Sequence, residues 1–313
     1  MHNDPNNLAR LDKQCADSAA SHLTVRDYRR DGATAMPRHW VRGDPFATAF
    51  FNCLSAVFPE GERFMIRSMA RYAGKLSPEL NADLRKFIEQ EAAHSREHDE
   101  MNVALENAGY DISDLERVIR QLVDFFANKS DLTKLTGTMC IEHLTAIIAA
   151  ELLANDEHLD GADRGQMPIW IWHAIEEVEH KSVAFDCWDY ATRDMGALRK
   201  YALRCGVMLP ISLSFLVNRL RGQITLLRQD GYGRLSALQG ALRYGFTKGG
   251  LGRNIIRPWA RFFSPRFHPD ESDDSALIAK GERIFAQLQA EREGGESKAS
   301  VERRTAARLM QAA

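Results

Sequence analysis

Strand signals are nearly missing from this chain of 313 residues. No stretch alternates apolar and polar residues between turn-forming residues, which argues against a sheet-based architecture. Paired cysteines are missing too. The five present, Cys15, Cys53, Cys140, Cys187 and Cys205, are scattered without a Cys-x-x-Cys pair, as free thiols in a reducing compartment are rather than a disulfide framework. The net charge of −2 leaves no electrostatic case for nucleic acid as a partner. The start, Met1-His2-Asn3-Asp4-Pro5, lacks a basic stretch leading into an apolar run, so no secretion signal is expected and a cytoplasmic location is the default. No flavin, haem or iron–sulfur motif occurs.

What is present is helical periodicity, which predicts an all-α chain. Asp44-Pro45 reads as an N-cap followed by proline at the first helical position. From there Phe50, Leu54, Phe58, Glu62, Ile66 and Met69 recur at three- and four-residue spacing to about Ala73. Ser77-Pro78 opens a second helix that carries Leu84, Phe87, Glu91, His94 and His98, and Gly109 ends it. Asp111 to Ala127 reads as a shorter crossover helix. A third main helix runs from about Asp131 to His158, and a fourth from about Ala162 or Pro168 to Tyr190. Residues 194 to 228 form another helical pattern, with a break expected near Pro210. Shorter helices, an extended wrap and a last helix from about Asp274 follow.

Two Glu-x-x-His tetrads stand out on this frame, Glu91-Ala-Ala-His94 and Glu177-Val-Glu-His180. Positions i and i+3 share a helix face, so a carboxylate and an imidazole can reach one ion. Of ten histidines, only these two have a glutamate three residues upstream. Each tetrad is preceded by a helix with a glutamate among apolar positions, Glu62 and Glu142. The order Glu, Glu-x-x-His, Glu, Glu-x-x-His is that of a four-helix bundle holding two metal ions. Glu60 competes with Glu62, which fits the apolar stripe better. His173 lies four residues before Glu177 and reads as a third imidazole ligand, with a carbonyl-bonded core histidine as the alternative. His98 reads as a partner of the site or a surface residue rather than a ligand, and His143 points about 100° away from Glu142. Glu89, Glu97, Glu176 and Glu179 fall off the ligand face and are expected to be solvated. Carboxylates and imidazoles without thiolate suit iron, with manganese the alternative.

The runs Arg38-His39-Trp40, Gly43-Asp44-Pro45, Phe58-Pro59-Glu60-Gly61-Glu62-Arg63-Phe64, Glu91 to His98, Glu142-His143 and His173 to Phe185 resemble the bacterial family named "predicted metal-dependent hydrolase" over roughly residues 36 to 270. The ligand pattern is also similar to the p-aminobenzoate N-oxygenase group of di-iron enzymes, ferritin-like bundles with a histidine four residues before the last tetrad's glutamate. That likeness implies ligands at Glu62, Glu91, His94, Glu142, His173, Glu177 and His180. It is confined to those positions and does not carry over the group's arylamine substrates.

The expectation is therefore a ferritin-like four-helix bundle with a di-metal centre over residues 36–192. A flexible, loosely attached polar arm over 1–35 precedes it, additional C-terminal helices over 193–290 pack on the bundle, and a charged, frayed tail spans 291–313. The leading function is a di-iron oxidase or oxygenase that activates O₂ on a small organic, apolar substrate, fed by an external electron donor or reductase. A dinuclear metal-dependent hydrolase and a ferroxidase-like metal-binding protein are the alternatives. Residues 205–217 are apolar and flanked by arginine and lysine, yet shorter than the roughly 20 residues of a membrane span. A buried core helix is the plain reading. The other is a helix in the membrane interface, which would place the protein peripherally on the inner face of the membrane. A homodimer is a further option.

Overall fold

The computed structural model describes residues 21–30, 35–247 and 249–311, with side chains through residue 294. Among these residues the chain is all-α, and an isolated antiparallel bridge between Val41 and Ala162 is the sole extended pairing. Helix α1 spans Pro45–Ser55, capped by Asp44, whose Oδ1 accepts the Phe46 and Ala47 amides at 2.8 and 3.2 Å. The single first helix expected from the stripe is in fact two, since α2 restarts at Phe58–Met69. Pro59 has no amide hydrogen to continue the ladder of α1, but it is well tolerated in the first turn of a new helix.

Ser77 caps α3, Pro78–Asn107, by accepting the Leu80 amide. Gly109, at φ 89°, turns the chain after it. The crossover helix α4 spans Ser113–Ala127, and α5 spans Asp131–Ala154 behind a Ser130 cap. The fourth main helix differs from expectation. It stops at Glu179 as α6, Met167–Glu179, and restarts as α7, Val183–Ala191, so the second tetrad straddles a helix end. His180 leaves helical geometry at φ −95°, ψ 10°, which sets its ring against Gln90 and Glu142.

Helix α8, Ala197–Gln229, runs unbroken through Pro210, contrary to the expected interruption. Pro210 leaves the carbonyl of Gly206 without its helical donor, and both residues lie on the exposed side, where that carbonyl can turn outward. Then come α9, Arg234–Phe246, α10, Leu251–Asn254, α11, Ile256–Arg261, and α12, Ser275–Gln311. The helical backbone of α12 continues through the region expected to fray, where side chains from 295 lie outside the described residues.

Packing sets the site. Helix α2 pairs with α3, and α5 pairs with α6; α2 also meets α5, and α3 meets α6 and α7. These contacts close a ring of helices around one interior. Aromatic layers seal it, with Trp40, Phe51, Trp170 and Trp172 in one buried cluster and Phe87, Trp188 and Phe262 in another. Helix α8 covers α1 and α5, and α12 covers α6.

Much of the expected N-terminal arm, residues 1–20 and 31–34, lies outside the described residues. The stretch between, 21–30, has no regular secondary structure yet is attached rather than loose, with Leu23 and Tyr28 buried against the bundle. Carboxylates receive its backbone. The Thr24 amide donates to Glu179 (2.9 Å), the Arg26 amide to Glu176 (2.7 Å) and the Arg30 amide to Glu97 (2.6 Å).

Among the described residues two helices are long and apolar enough to cross a membrane by length and composition, α5 and α8. The apolar window of α5 is mostly buried inside the fold, whereas that of α8 is only 17% buried. The core-helix reading of 205–217 is thereby corrected. One side of α8 packs on the protein through Met208, Leu226 and Leu227, but the side bearing Leu209 and Leu213 has no helix over it among the described residues.

Gly222 is where α8 docks. A Cβ there would overlap the Cys53 sulfur of α1 and come within 3.2 Å of Leu115 of α4. Gly222→Ala should therefore destabilise the fold by about 1–3 kcal/mol from overpacking, despite the roughly 1 kcal/mol gain in helix propensity. Urea melts would check this, and a stabilised variant would show that the docking is loose.

Candidate metal centre

The seven predicted ligand residues converge. Glu62 from α2, Glu91 and His94 from α3, Glu142 from α5, and His173, Glu177 and His180 from α6 and its end are all buried. Their donor atoms form two adjoining groups that could each hold an ion. Glu62, His94 and His173 make one, and Glu91, Glu177 and His180 the other. Glu142 joins the second, its Oε2 lying 3.3 Å from His180 Nε2. Two carboxylates lie between the groups. Glu177 Oε1 is 3.0 Å from His173 Nε2, 3.5 Å from His180 Nε2 and 3.8 Å from His94 Nδ1. Glu91 Oε1 is 3.3 Å from His180 Nε2 and 3.8 Å from His94 Nδ1.

Helix spacing explains the convergence. His173, Glu177 and His180 follow one face of α6 at steps of four and three, as do Glu91 and His94 on α3. Glu60, the competitor of Glu62, points outward and lies near Arg63.

The donor atoms fit a cation and little else. Both oxygens of Glu62, Glu91 and Glu142, together with Glu177 Oε2, His94 Nδ1 and His180 Nε2, are buried without a hydrogen-bond partner of sound geometry. Buried polar atoms are normally satisfied, and a buried carboxylate facing other carboxylates is strongly unfavourable. Each imidazole, moreover, is held from behind, leaving one ring nitrogen facing the cluster. His94 Nε2 meets Glu176 Oε2 at 2.9 Å, which leaves Nδ1 inward. His180 Nδ1 meets Gln90 Oε1 at 3.1 Å, which leaves Nε2 inward. His173 Nδ1 meets His98 Nε2 at 2.8 Å; His98 Nδ1 meets Ser55 Oγ at 2.9 Å, and that hydroxyl donates to Asn102 Oδ1 at 2.9 Å. If each ring nitrogen remote from the cluster carries the proton, all of these contacts are donor to acceptor. Such backing fixes tautomer and ring orientation at metal sites.

Several of these backing groups escaped the sequence reading. Glu176 was expected to be solvated and is fully buried; Glu97 is 2% exposed. Glu179 is also mostly covered, held by Arg26 at 3.0 Å, while Glu89 is exposed as expected. The segment 24–30 lies over these carboxylates, and α6, apolar from Met167 to Ile175 except for His173, has no solvent face to offer Glu176. That all-round apolarity was the available signal. His98 is no surface residue but the buried partner of His173. His143 lies apart, packed between Phe262 and Phe267, and burial lowers its pKa to about 4.

Electrostatics follow burial. Desolvation, with the neighbouring Glu91 and Glu177 charges, pushes Glu62 well above the usual carboxylate range. Burial and the charge of Glu177 raise Glu91 to about 8; burial and Glu91 raise Glu142 to about 8 against the pull of His180. Glu177 is equally buried, yet His180 and His173 outweigh that cost and hold its carboxyl well below the ordinary value. Burial opposes a charged His180, but Glu177 and Glu142 raise it well above the usual imidazole range. His98, by contrast, is held well below that range by burial and by His173 and His94.

A small cavity of about 30 Å³, lined by Phe51, Leu54, Phe58 and Trp170 among others, reaches His173 and Glu177. It has room for about one or two waters. A third group of possible donors, Asp186, His268 and Asp270, lies near the surface. Both ring nitrogens of His268 are already engaged there, by Asp186 Oδ1 at 2.9 Å and the Asp270 amide at 3.2 Å.

A ring of helices enclosing two adjoining sets of buried carboxylates and imidazoles defines a helical metal-binding protein. The chain belongs to the predicted metal-dependent hydrolase family, whose sequence profile matches residues 24–273, about four-fifths of its length. No curated protein and no solved structure matches it significantly.

Glu91 and Glu142 keep their protons up to about pH 8 in the metal-free protein. Because their folded values are raised, the stability they contribute is present below the unfolded carboxylate pKa of about 4 and lost as pH rises through 8. A divalent ion must displace those protons, so affinity for Mn(II) should rise between about pH 6 and 8 with measurable proton release. Calorimetry in buffers of different ionisation heat checks this, and a pH-independent affinity would contradict it. Glu176→Ala, which removes the acceptor behind His94, should weaken metal binding about 10- to 100-fold, with Glu176→Gln milder. Equal affinities in all three proteins, read by competitive chelation, would show that Glu176 has no hold on the centre.

Proposed function

We propose that Glu62, His94 and His173 would hold one divalent ion and that Glu142 and His180 would hold a second, with Glu91 and Glu177, which lie between the two groups, available to both. On this reading the chain is a metal-dependent hydrolase, as its family description has it, working through a dinuclear centre. The observation that carries the dinuclear part is the set of buried carboxylate oxygens without hydrogen-bond donors, aimed into one volume. Four carboxylates balance two divalent ions, so the centre can be buried without net charge. Such a pair of ions supplies Lewis acidity and activates water for attack.

The chain's own residues supply the rest. Glu176 and Gln90 orient His94 and His180, and His98 with Ser55 holds His173 at a fixed tautomer. Phe51, Leu54, Phe58 and Trp170 make the approach to His173 and Glu177 apolar, which favours a substrate whose group next to the reacting bond is apolar. The narrowness of that approach also limits free water at the centre.

A second reading rests on the donor set itself. Four carboxylates and three imidazoles without thiolate suit iron, in the ferritin-like arrangement of the di-iron N-oxygenase group. This reading makes the chain an O₂-dependent oxidase or oxygenase with an electron donor from outside the chain.

One experiment separates the two. Protein loaded with Mn(II) or Zn(II) is assayed under strict anaerobiosis against apolar carboxylic and phosphoric esters, and Fe(II)-loaded protein is mixed with O₂. Anaerobic turnover that disappears in Glu177→Ala supports hydrolysis. O₂ uptake with a transient visible absorption, and no anaerobic turnover, would replace it with the oxidative reading. Metal content near two per chain is expected in either case, and no bound metal after reconstitution would overturn both.

A further inference from the structure

The quarter of the chain that builds α8 to α11 is charged quite differently from the rest. Between Met195 and Pro269 there are thirteen arginines and lysines and a single acidic residue, Asp230. That aspartate is already held by Arg38 at 2.7 Å. The remainder of the chain carries the excess of acid that brings the total to −2. Charge asymmetry of this kind marks a surface that meets an anionic partner.

The same region carries the apolar face that nothing covers among the described residues. On α8, Leu198 is 81% exposed and Leu213 63%, and Leu209, Leu216 and Val217 are also exposed. They recur at helical spacing along about 29 Å of α8, and no charged residue interrupts them between Arg204 and Arg219. Beyond Val217 the stripe runs into a groove between α8 and α9, with Leu235 of α9, 68% exposed, on the far wall. Arg221, Arg228 and Arg234 rim that groove, all exposed, and none pairs with a carboxylate among the described residues; the groove's one acidic lining residue, Asp114 of α4, is paired with Arg117.

We propose that this face docks on an anionic lipid bilayer, with α8 lying in the plane of the interface. Its leucine stripe enters the headgroup–acyl boundary, while Arg199 at one end and Arg221, Arg228 and Arg234 at the other meet lipid phosphates. An amphipathic helix with basic residues at the edges of an apolar face binds membranes in this way. The opposite side of α8 is packed on α1 and α5, which keeps the helix flat on the protein rather than across the bilayer. A second copy of the chain is a poorer occupant. A two-fold contact through this face would bring the arginine rim against itself, with no acidic residue on α8 or α9 to offset the repulsion. The docking is independent of the reaction at the metal centre.

Vesicle co-sedimentation of the full-length, metal-loaded protein tests it. The protein should pellet with phosphatidylcholine vesicles containing phosphatidylglycerol at about 0.1 M salt, and far less with pure phosphatidylcholine or at about 0.5 M salt. The triple variant R221Q/R228Q/R234Q should lose on the order of a hundred-fold in partitioning, about five-fold per charge. L213E/V217E should abolish pelleting while keeping the circular dichroism spectrum and metal content of the parent. No pelleting of the parent with anionic vesicles would overturn the proposal, as would equal pelleting of L213E/V217E. A parent dimer in analytical ultracentrifugation that L213E/V217E converts to monomer, without vesicle binding by either, would assign the face to self-association instead.

Discussion

Glu62, Glu91, Glu142 and Glu177 bring four carboxylates into one buried volume, and the rest of the structure is arranged around that fact. Seven of their eight oxygens have no hydrogen-bond donor of sound geometry. His180, raised well above the usual imidazole range by Glu177 and Glu142, sets a positive charge beside them, and protonation of Glu91 and Glu142 relieves part of the repulsion in the metal-free protein. A cluster like this is a poor way to stabilise a helical core. It becomes favourable only with cations of matching total charge, so folding energy and metal binding are coupled in this protein.

The surroundings hold that cluster in place. Each inward-facing imidazole is backed by a buried acceptor: Glu176 for His94, Gln90 for His180 and His98 for His173. Glu176 does two jobs, since its other oxygen receives the Arg26 amide of the segment 21–30. That segment is thus tied by its backbone to the same carboxylates that orient the ligands. Gln90 does likewise, holding His180 through its carbonyl and Thr24 O through its amide at 3.1 Å. The segment closes the outer side of α3 and α6, which explains why glutamates on the back of the ligand helices are buried at all.

The family description and the donor set point toward different chemistries. Hydrolysis needs an activated water and room for a leaving group; oxidation needs O₂ and electrons from elsewhere. The donor set suits either because carboxylates and imidazoles gathered in two adjoining groups would hold cations close together without choosing what they activate. The apolar lining of the small cavity at His173 and Glu177 narrows the substrate rather than the reaction. The uncovered leucine stripe and arginine rim of α8 suit a protein that works beside a lipid surface.

Periodicity and spacing made the helical class and the seven donor residues legible, because i, i+3 and i, i+4 relations on a helix are local and survive without tertiary context. Caps such as Asp44 and Ser77 were legible for the same reason. Other features depended on neighbours distant in sequence. The restart after Pro59, the helix end at His180 and the unbroken passage through Pro210 each follow from what the chain meets or leaves exposed there. Glu176 and Glu97 looked solvated because their burial comes from residues 24 to 30, some 70 to 150 positions away. Helix α8 looked like core because its composition is that of a core helix, and only the absence of a covering helix among the described residues made it a surface. The sequence alone determined which side chains could bind metal; the tertiary structure decided which nitrogen of each imidazole faces inward and which apolar face stays open, because both depend on partners that folding brings together.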